Sequence, residues 1–263
     1  MKLACTTAVF RNELPEEAFG LVAAAGFKYI ELASVHCDYN TLTNALIDAT
    51  MYAIDRAGLK VLTYYADNTR EHWTRMPRMF EVARRVGAKH VVMSCANLGA
   101  AKQLEPSSTR TDIDIAIVNR WPDPFGRPGD FKSINGGVSQ RIGVAADVGW
   151  FVAGGQNPLD LFDITPDRVK VVRVSDIAKR GEIRGVDLGS GVANLDGVFK
   201  TLTKRKFTGP VTVDRLLGRV ITFQTEADGW VVPHVDDQPI ERKEALTALR
   251  RARKWMLAHG AIE

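Results

Sequence analysis

The sequence has few cysteines, no long apolar run and no strong excess of either charge. Its three cysteines are widely spaced and form no CxxC pair, so the chain lacks the pattern of a disulfide framework or a zinc ribbon. No apolar run reaches the roughly 18 residues that suggest a membrane span, and the amino terminus lacks the apolar core of a signal peptide. We therefore expect a reduced, cytoplasmic protein that is neither secreted nor inserted into a membrane.

Charge is nearly balanced, with 35 Lys and Arg against 31 Asp and Glu and a net charge of +4. The densest basic group, Arg250, Arg251, Arg253 and Lys254, lies on a helical pattern near the carboxyl terminus, where a solvated helix face explains it. Nucleic-acid binding needs basic residues clustered on one surface. The sequence therefore predicts no nucleic-acid partner.

What the chain does contain is a regular alternation of short apolar segments and longer amphipathic ones. Candidate strands begin at Lys2, Lys28, Lys60, Lys89, Asp114, Arg141, Arg168 and Gly209. The first seven are 25 to 32 residues apart, and the last follows after 41. Eight such units, with no GxGxxG after the first strand, predict an α/β fold in which residues 1–263 form a single (β/α)₈ TIM barrel.

The helical segments carry their own boundary signals. Gly26, Gly58 and Gly87 follow the first three helical patterns and predict left-handed helix caps. The last helix is predicted from Ile240 to His259, with its apolar face toward the barrel.

In a TIM barrel the loops after the strands carry function. Two of these loops, near 119–140 and 216–238, are long and rich in Gly, Pro and Asp. They are either lids and substrate walls or tolerated surface insertions. The apolar run Trp230, Val231 and Val232 suits a homodimer contact as well as a lid.

Seven phrases in consistent order carry a resemblance to a known family. They are GFKYIELA, GAKHVVMS, AIVNRW, GVAADVGWF, VVRVSD, DLGSGVANLDGVFKTL and GPVTVD. Together they resemble the sugar phosphate isomerase/epimerase group of xylose-isomerase-like TIM barrels. The resemblance implies a divalent metal, manganese or magnesium, held in the barrel mouth by carboxylates and a histidine. It also implies isomerisation or epimerisation of a sugar by proton transfer next to a carbonyl.

The chain departs from that pattern at three of the four expected ligand positions. Val118 stands in place of a glutamate, Arg173 in place of the histidine, and Asp214 in place of the last glutamate. Only Asp147 is retained, and Arg120 replaces a neighbouring histidine. A guanidinium cannot ligate a cation and keeps its own charge. A bound Mn²⁺, Mg²⁺ or Zn²⁺ is therefore disfavoured, and if one binds, Asp147 and Asp214 are its ligands.

The residues that remain suit a sugar or sugar acid as a small-molecule substrate. Asp147 or Asp214 is the candidate base and Arg173 the candidate electrophile of an enolate-type reaction. An arginine close by lowers the pKa of an aspartate, however, and makes it a poorer base. The candidate substrate-binding residues are Glu31, His36, Tyr65, Asn119, Arg120, Trp150 and Asp176.

Other features have two interpretations each. Asp187–Gly191 (DLGSG) either offers backbone N–H groups to a phosphate or forms a plain turn. His234, in the last insertion, either folds over the mouth or belongs to the surface of the loop. Cys95, at a strand end, is expected to be a packed barrel cysteine. Arg173 and Arg120 can alternatively pair with Asp147 and Asp214 as a closed ion network.

These observations leave three hypotheses. The first is a carbohydrate or sugar-acid isomerase, epimerase or enolate-type lyase with an altered, metal-poor site. The second is a non-catalytic carbohydrate-binding protein or partner subunit on the same barrel, and the third is an inactivated or engineered metalloenzyme.

Overall fold

The computed structural model describes residues 1–66, 75–214, 219–238 and 240–263. Eight parallel strands close into a barrel, which confirms the predicted TIM barrel. These strands are β1 (Lys2–Thr6), β2 (Tyr29–Ala33), β3 (Lys60–Ala66), β4 (His90–Met93), β5 (Asp114–Val118), β6 (Ile142–Asp147), β7 (Val169–Val174) and β10 (Pro210–Val213). Around the barrel they follow the order β1-β10-β7-β6-β5-β4-β3-β2. Each begins within one residue of its predicted start, because the apolar segments that mark the strands are also the buried ones.

Helices surround the barrel and cover its outer face. They are α1 (Pro15–Ala24), α2 (Asn44–Arg56), α3 (Met76–Arg85), α4 (Leu98–Gln103), α5 (Glu105–Thr111), α6 (Ile134–Gly137), α7 (Val148–Ala153), α8 (Leu159–Ile164), α9 (Leu195–Lys204) and α10 (Arg242–Ala258). Gly26, Gly58 and Gly87 have φ values of 95°, 69° and 84°, which confirms the predicted left-handed caps. Among the helices in the described parts of the chain, none combines the length and apolar character needed to cross a bilayer.

A second, four-stranded sheet lies at the carboxyl ends of the barrel strands. It consists of β8 (Asp176–Ile177), β9 (Glu182–Val186), β11 (Arg219–Thr225) and β12 (Val231–Asp237), in the order β12-β11-β9-β8. β8 directly follows β7, and β11 follows β10 after a short segment, so this sheet lies over the mouth of the barrel. The hairpin of β11 and β12 accounts for the described part, 219–238, of the insertion predicted near 216–238.

The insertion predicted near 119–140 folds back onto the barrel. It forms a 3₁₀ helix from Pro128 to Ser133 and then α6. Phe131 of this segment is fully buried, with its ring centroid 5.1 Å from that of Phe125 and 6.4 Å from that of Phe151 in α7. The insertion is therefore packed against the barrel over this stretch.

Alanine and valine side chains, with one tyrosine, occupy the barrel interior. A buried cluster there contains Ala33, Tyr65, Val92, Ala116, Val118, Ala145 and Val171. Branched residues commonly fill such barrels in layers. The polar residues predicted for the site lie at the carboxyl ends of the same strands.

Candidate functional site

Arg173 is the centre of the polar cluster at the barrel mouth. Its Nε donates to Oε1 of Glu31 at 3.0 Å and its Nη1 to Oδ2 of Asp147 at 2.8 Å. Its Nη2 lies 3.0 Å from Oδ2 of Asp214. β2, β6, β7 and the residue after β10 supply these four side chains, which barrel closure brings together. One guanidinium thus engages three carboxylates from distant parts of the chain.

All four groups are buried. The side chain of Arg173 is 1% exposed, those of Glu31 and Asp147 are 0% exposed, and that of Asp214 is 4% exposed. Ion pairs of this kind are much less screened by solvent than those on a protein surface. Arg173 thus pairs with Asp147 and Asp214, as in the ion network that the sequence allowed, and also with Glu31, which that network did not include.

Arg120 brings a second guanidinium to the cluster, and its Nη1 lies 3.9 Å from Oδ2 of Asp147. Three carboxylates therefore face two guanidinium groups. One negative charge is left over inside the barrel. Burial raises the pKa of Asp147 to about 6, against the opposing effects of Arg173 and Arg120. Burial likewise raises the pKa of Glu31. Both arginines lower this pKa, as expected from the sequence, but desolvation outweighs them and the net shift is upward.

A second layer of side chains lies beside and above this cluster. The guanidinium carbon of Arg173 is 4.4 Å from the ring centroid of Tyr65, and that of Arg120 is 4.4 Å from the ring centroid of Trp150. Arg120 also donates a hydrogen bond to the Tyr65 hydroxyl. Phe223 of β11 packs edge-on against Trp150, with the ring centroids 5.8 Å apart. Cation–π contacts and the hairpin thus cover the cluster from the solvent side.

Asn119 holds the end of β6 in place. Its Nδ2 donates to the carbonyl of Asp147 at 2.9 Å, and its Oδ1 accepts the Asp147 N–H at 2.6 Å. Oδ1 of Asp147 in turn accepts the N–H of Trp150 at 3.5 Å and so caps α7. Because Asn119 is bonded to the Asp147 backbone on both sides of its amide, it orients the carboxylate that contacts Arg173.

Asp176 lies outside the Arg173 cluster. Its carboxylate accepts the N–H groups of Ile177, Gly189, Gly191 and Ala193 at 2.9–3.1 Å. A Cβ at Gly191 would lie 2.3 Å from Oδ1 of Asp176, so the turn needs glycine there. The DLGSG turn thus directs its N–H groups to a carboxylate of its own chain, where the sequence also allowed a phosphate. The substrate-binding role of Asp176 stays a prediction.

The predicted histidine and cysteine candidates also lie apart from the cluster. Nδ1 of His36 is 3.0 Å from Oγ1 of Thr7, and Nε2 is 3.1 Å from the carbonyl of Phe10. Burial lowers the pKa of His36, which favours a neutral ring. His234 is exposed on β12. Sγ of Cys95 donates to the carbonyl of Asn97 at 3.0 Å.

The donor set at the mouth does not fit a divalent metal. Each of the three carboxylates already has an oxygen on Arg173, and Val118 belongs to the apolar interior cluster. Within the described ranges, no group of three or more His, Cys, Asp or Glu side chains is arranged to hold a metal ion. A dication among these carboxylates would lie against the Arg173 guanidinium, which repels it.

A large cavity adjoins the mouth on the side of β4 and β5. Its volume is about 910 Å³, and its described walls are the segment after β4, the segment after β5, the start of α3 and the start of β12 with the turn before it. The described lining residues include Asn97, Gln103, Asp123 and Trp230. The sequence marked the segment after β5 and the insertion that holds the β11–β12 hairpin as long loops, but could not show that they enclose one space with the segment after β4.

Comparison with known proteins identifies the family of the fold. The model of the xylose isomerase-like TIM barrel family matches residues 19–231. No curated protein is similar enough to this chain to count as a match.

Solved structures of low sequence identity share the fold over nearly the whole chain. The IOLI protein with a binding zinc atom has a TM-score of 0.73 at 18% identity and covers 98% of both chains. D-psicose 3-epimerase in the presence of D-fructose has a TM-score of 0.73 at 11% identity, over 97% of this chain and 98% of that one. The probable 3-DHS dehydratase AsbF from Bacillus anthracis has a TM-score of 0.70 at 10% identity, over 98% of this chain and 99% of that one.

Proposed function

The chain belongs to the xylose isomerase-like TIM barrel family, and from that premise we propose that it binds a carbohydrate at the barrel mouth without a divalent metal. In this proposal the Arg173 cluster is a closed structural network, and the protein is a non-catalytic carbohydrate-binding protein, the second of the three hypotheses raised by the sequence. The sugar epimerase among the structural neighbours supports the ligand class by analogy.

One observation carries the proposal. The Arg173 guanidinium engages Glu31, Asp147 and Asp214 together, at 2.8–3.0 Å, in a buried cluster. A catalytic base must come within hydrogen-bond reach of the proton that it abstracts. Asp147 lies below Arg120 and Trp150 with no exposed side-chain surface, so a substrate reaches it only if that layer moves.

Calorimetric titration with MnCl₂ tests the absence of a metal. We expect no saturable binding to the native chain, because Arg173 supplies the positive charge that the carboxylates require. Arg173→His removes the guanidinium and leaves an imidazole beside three carboxylates, so we expect this variant to gain measurable Mn²⁺ affinity. Arg173→Lys keeps a cation and is the matched control, for which we expect no gain.

Stoichiometric Mn²⁺ binding by the native chain would contradict the proposal. Circular dichroism of each variant shows whether the barrel is intact, and only folded variants are compared.

A second candidate function is a metal-free isomerase, epimerase or enolate-type lyase. The pKa of about 6 for Asp147 favours it, because a carboxylate poised near neutrality is a better general base than an ordinary aspartate. In that case Asp147 or Asp214 takes the proton next to the carbonyl, and Arg173 stabilises the resulting enolate oxygen.

Solvent deuterium exchange separates the two candidates. A base that removes a proton next to the carbonyl of D-fructose or D-psicose, and exchanges it with D₂O before returning one, leaves deuterium there, which proton NMR detects. For the binding protein we expect no incorporation above the buffer blank. Incorporation by the native chain that is lost in Asp147→Asn would establish the enzyme instead.

A further inference from the structure

A second cavity lies on the opposite face of the barrel, at the amino-terminal ends of the strands. Its volume is about 430 Å³, and its described walls are the first residues of β1, β2 and β3, the helix α2 and the segment after α3. We propose that this cavity binds a small anionic amphiphile, such as the anion of a medium-chain fatty acid. This site is separate from the carbohydrate site of the proposed function and does not depend on it.

The lysines of this face come from the regular spacing of the strands. Lys2 and Lys60 are the first residues of β1 and β3. Lys28 and Lys89 directly precede β2 and β4, and all four lysines are exposed. The four strands are neighbours in the barrel, and parallel strands begin at the same end of it. Lysines that are far apart in the sequence therefore lie along one rim.

The floor of the cavity is apolar. It consists of Met51, Ile54, Leu59, Val61, Leu62 and Val86. Met51 and Leu62 are only half-buried, so part of the floor is in contact with water that a hydrocarbon group of a ligand would displace. The volume lies at the small end of the range of about 300–1,000 Å³ that is typical of ligand cavities. The cavity therefore suits a small ligand with an apolar body.

Charge indicates what this ligand carries besides its apolar body. Within the described residues, neither Lys2 nor Lys60 forms an ion pair, whereas Nζ of Lys28, which is not in the described lining, lies 3.6 Å from Oε2 of Glu263. Asp55 is the one carboxylate of the described lining, and it pairs with neither lysine. The chain from 2 to 62, which supplies most of the lining, is described without a gap. Two ammonium groups against one carboxylate favour an anionic ligand.

Tyr29 lies between the two lysines. It is the first residue of β2, which is flanked by β1 and β3, and it is paired with Lys60 in the ladder of β2 and β3. Nζ of Lys2 lies 5.7 Å from the centroid of the Tyr29 ring, a cation–π contact that keeps this ammonium group at the cavity. Both positive charges are thus next to the apolar floor. This arrangement matches a carboxylate joined to a hydrocarbon chain, and a neutral sugar would leave both charges unused.

NMR titration of the full chain, labelled with ¹³C in the methionine methyl groups, tests the site, because Met51 is part of the floor. Sodium octanoate is the probe. Octan-1-ol has the same chain without the charge, and acetate has the charge without the chain. We expect octanoate to shift the Met51 signal saturably, octanol to bind more weakly and acetate to cause no shift. The signal is assigned by its loss in Met51→Leu.

Variants of the two lysines test the role of charge. Lys60→Gln removes one ammonium group and should weaken octanoate binding by about fivefold, the upper range for an exposed ion pair. Lys2→Gln combined with Lys60→Gln should remove the preference for octanoate over octanol. Lys200→Gln, at an exposed lysine of α9 outside the described lining, is the matched control and should leave affinity unchanged. Circular dichroism shows that each variant is folded.

Three results would overturn the inference. Octanol that binds the native chain as tightly as octanoate would show that the site does not recognise an anion. Octanoate affinity that is unchanged in the double lysine variant, or shifts at other methionines without one at Met51, would show that the ligand lies elsewhere. Absence of octanoate binding would exclude the site altogether. Each result leaves the proposed function untouched, because the experiment uses no sugar and changes no residue at the barrel mouth.

Discussion

Arg173 places a fixed positive charge among three buried carboxylates, and the chemistry of the mouth follows from that one side chain. A buried ion costs several kcal/mol to desolvate, and only a well-placed opposite charge offsets this. The guanidinium is planar and has several donors, so it reaches Glu31, Asp147 and Asp214 at once. A histidine at this position could not do the same. Loss of Arg173 therefore has a different consequence from loss of one carboxylate.

We predict that Arg173→Met is far more damaging than Asp147→Asn. Without Arg173 three buried carboxylates lose their main partner, and we expect a loss of at least about 3–5 kcal/mol in the free energy of unfolding, or failure to fold. Asp147→Asn removes one charge from a cluster that has one negative charge in excess, so its cost should be much smaller. Urea unfolding monitored by circular dichroism measures both. Equal losses for the two variants would show that the excess charge is neutralised in another way.

The pKa of Asp147 also predicts a dependence of stability on pH. In the folded chain the carboxyl of Asp147 keeps its proton up to about pH 6, whereas an ordinary aspartate, with a pKa of 3.8, loses its proton at lower pH. Between these values the folded state binds more protons than the unfolded state, so the contribution of Asp147 to stability falls as pH rises. This contribution is fully present below about pH 3.8 and is lost as the pH rises through about 6.

This contribution is isolated by comparison with Asp147→Asn, which cannot titrate at that position. The free energy of unfolding of the native chain, minus that of the variant, should decline between about pH 4 and pH 7. A difference that stays constant or rises would exclude a raised pKa at Asp147.

The element that closes the mouth is the hairpin of β11 and β12. Phe223 attaches it to the barrel, with ring centroids 4.5 Å from Trp121 and 5.8 Å from Trp150. Trp121 itself fits closely over α7, because a Cβ at Gly154 would lie 2.8 Å from its Cγ. Surface ion pairs such as Arg219 with Asp237, at 2.8 Å, add little to this attachment. The aromatic contacts therefore hold the hairpin over the cluster.

We predict that Phe223→Ala loosens the hairpin without unfolding the barrel. The lost aromatic packing should cost about 1–3 kcal/mol and expose the layer formed by Arg120 and Trp150. Amide hydrogen exchange by mass spectrometry would report faster exchange in 219–238, with the barrel strands unchanged. Trp230→Ala, at the exposed end of the same hairpin, is the control and should leave that exchange unaltered. Uniformly faster exchange throughout the chain would mean that Phe223 supports the whole fold.

At the scale of the whole molecule, local patterns predicted the barrel almost completely. The apolar segments at Lys28, Arg141 and Gly209 mark strands, because the strands of a parallel sheet are buried on both faces and therefore have nearly continuous apolar sequences. The glycine caps were equally predictable, because a left-handed residue is required wherever a helix turns back to the next strand. The second sheet was not predicted, since β8 has only two residues and β9 is short, partly exposed and without a clear apolar period.

The sequence by itself determined the class of fold, the positions of the eight barrel strands and the identity of the altered residues at the mouth. It also showed that Arg173 could not be a metal ligand, because this depends on the chemistry of one side chain. Only the tertiary structure decided that one guanidinium contacts all three carboxylates, that burial outweighs arginine in the pKa of Asp147, and that the hairpin, β4 and β5 enclose a cavity. These properties depend on distances between residues far apart in the chain and on the exclusion of water, which arise when the barrel closes.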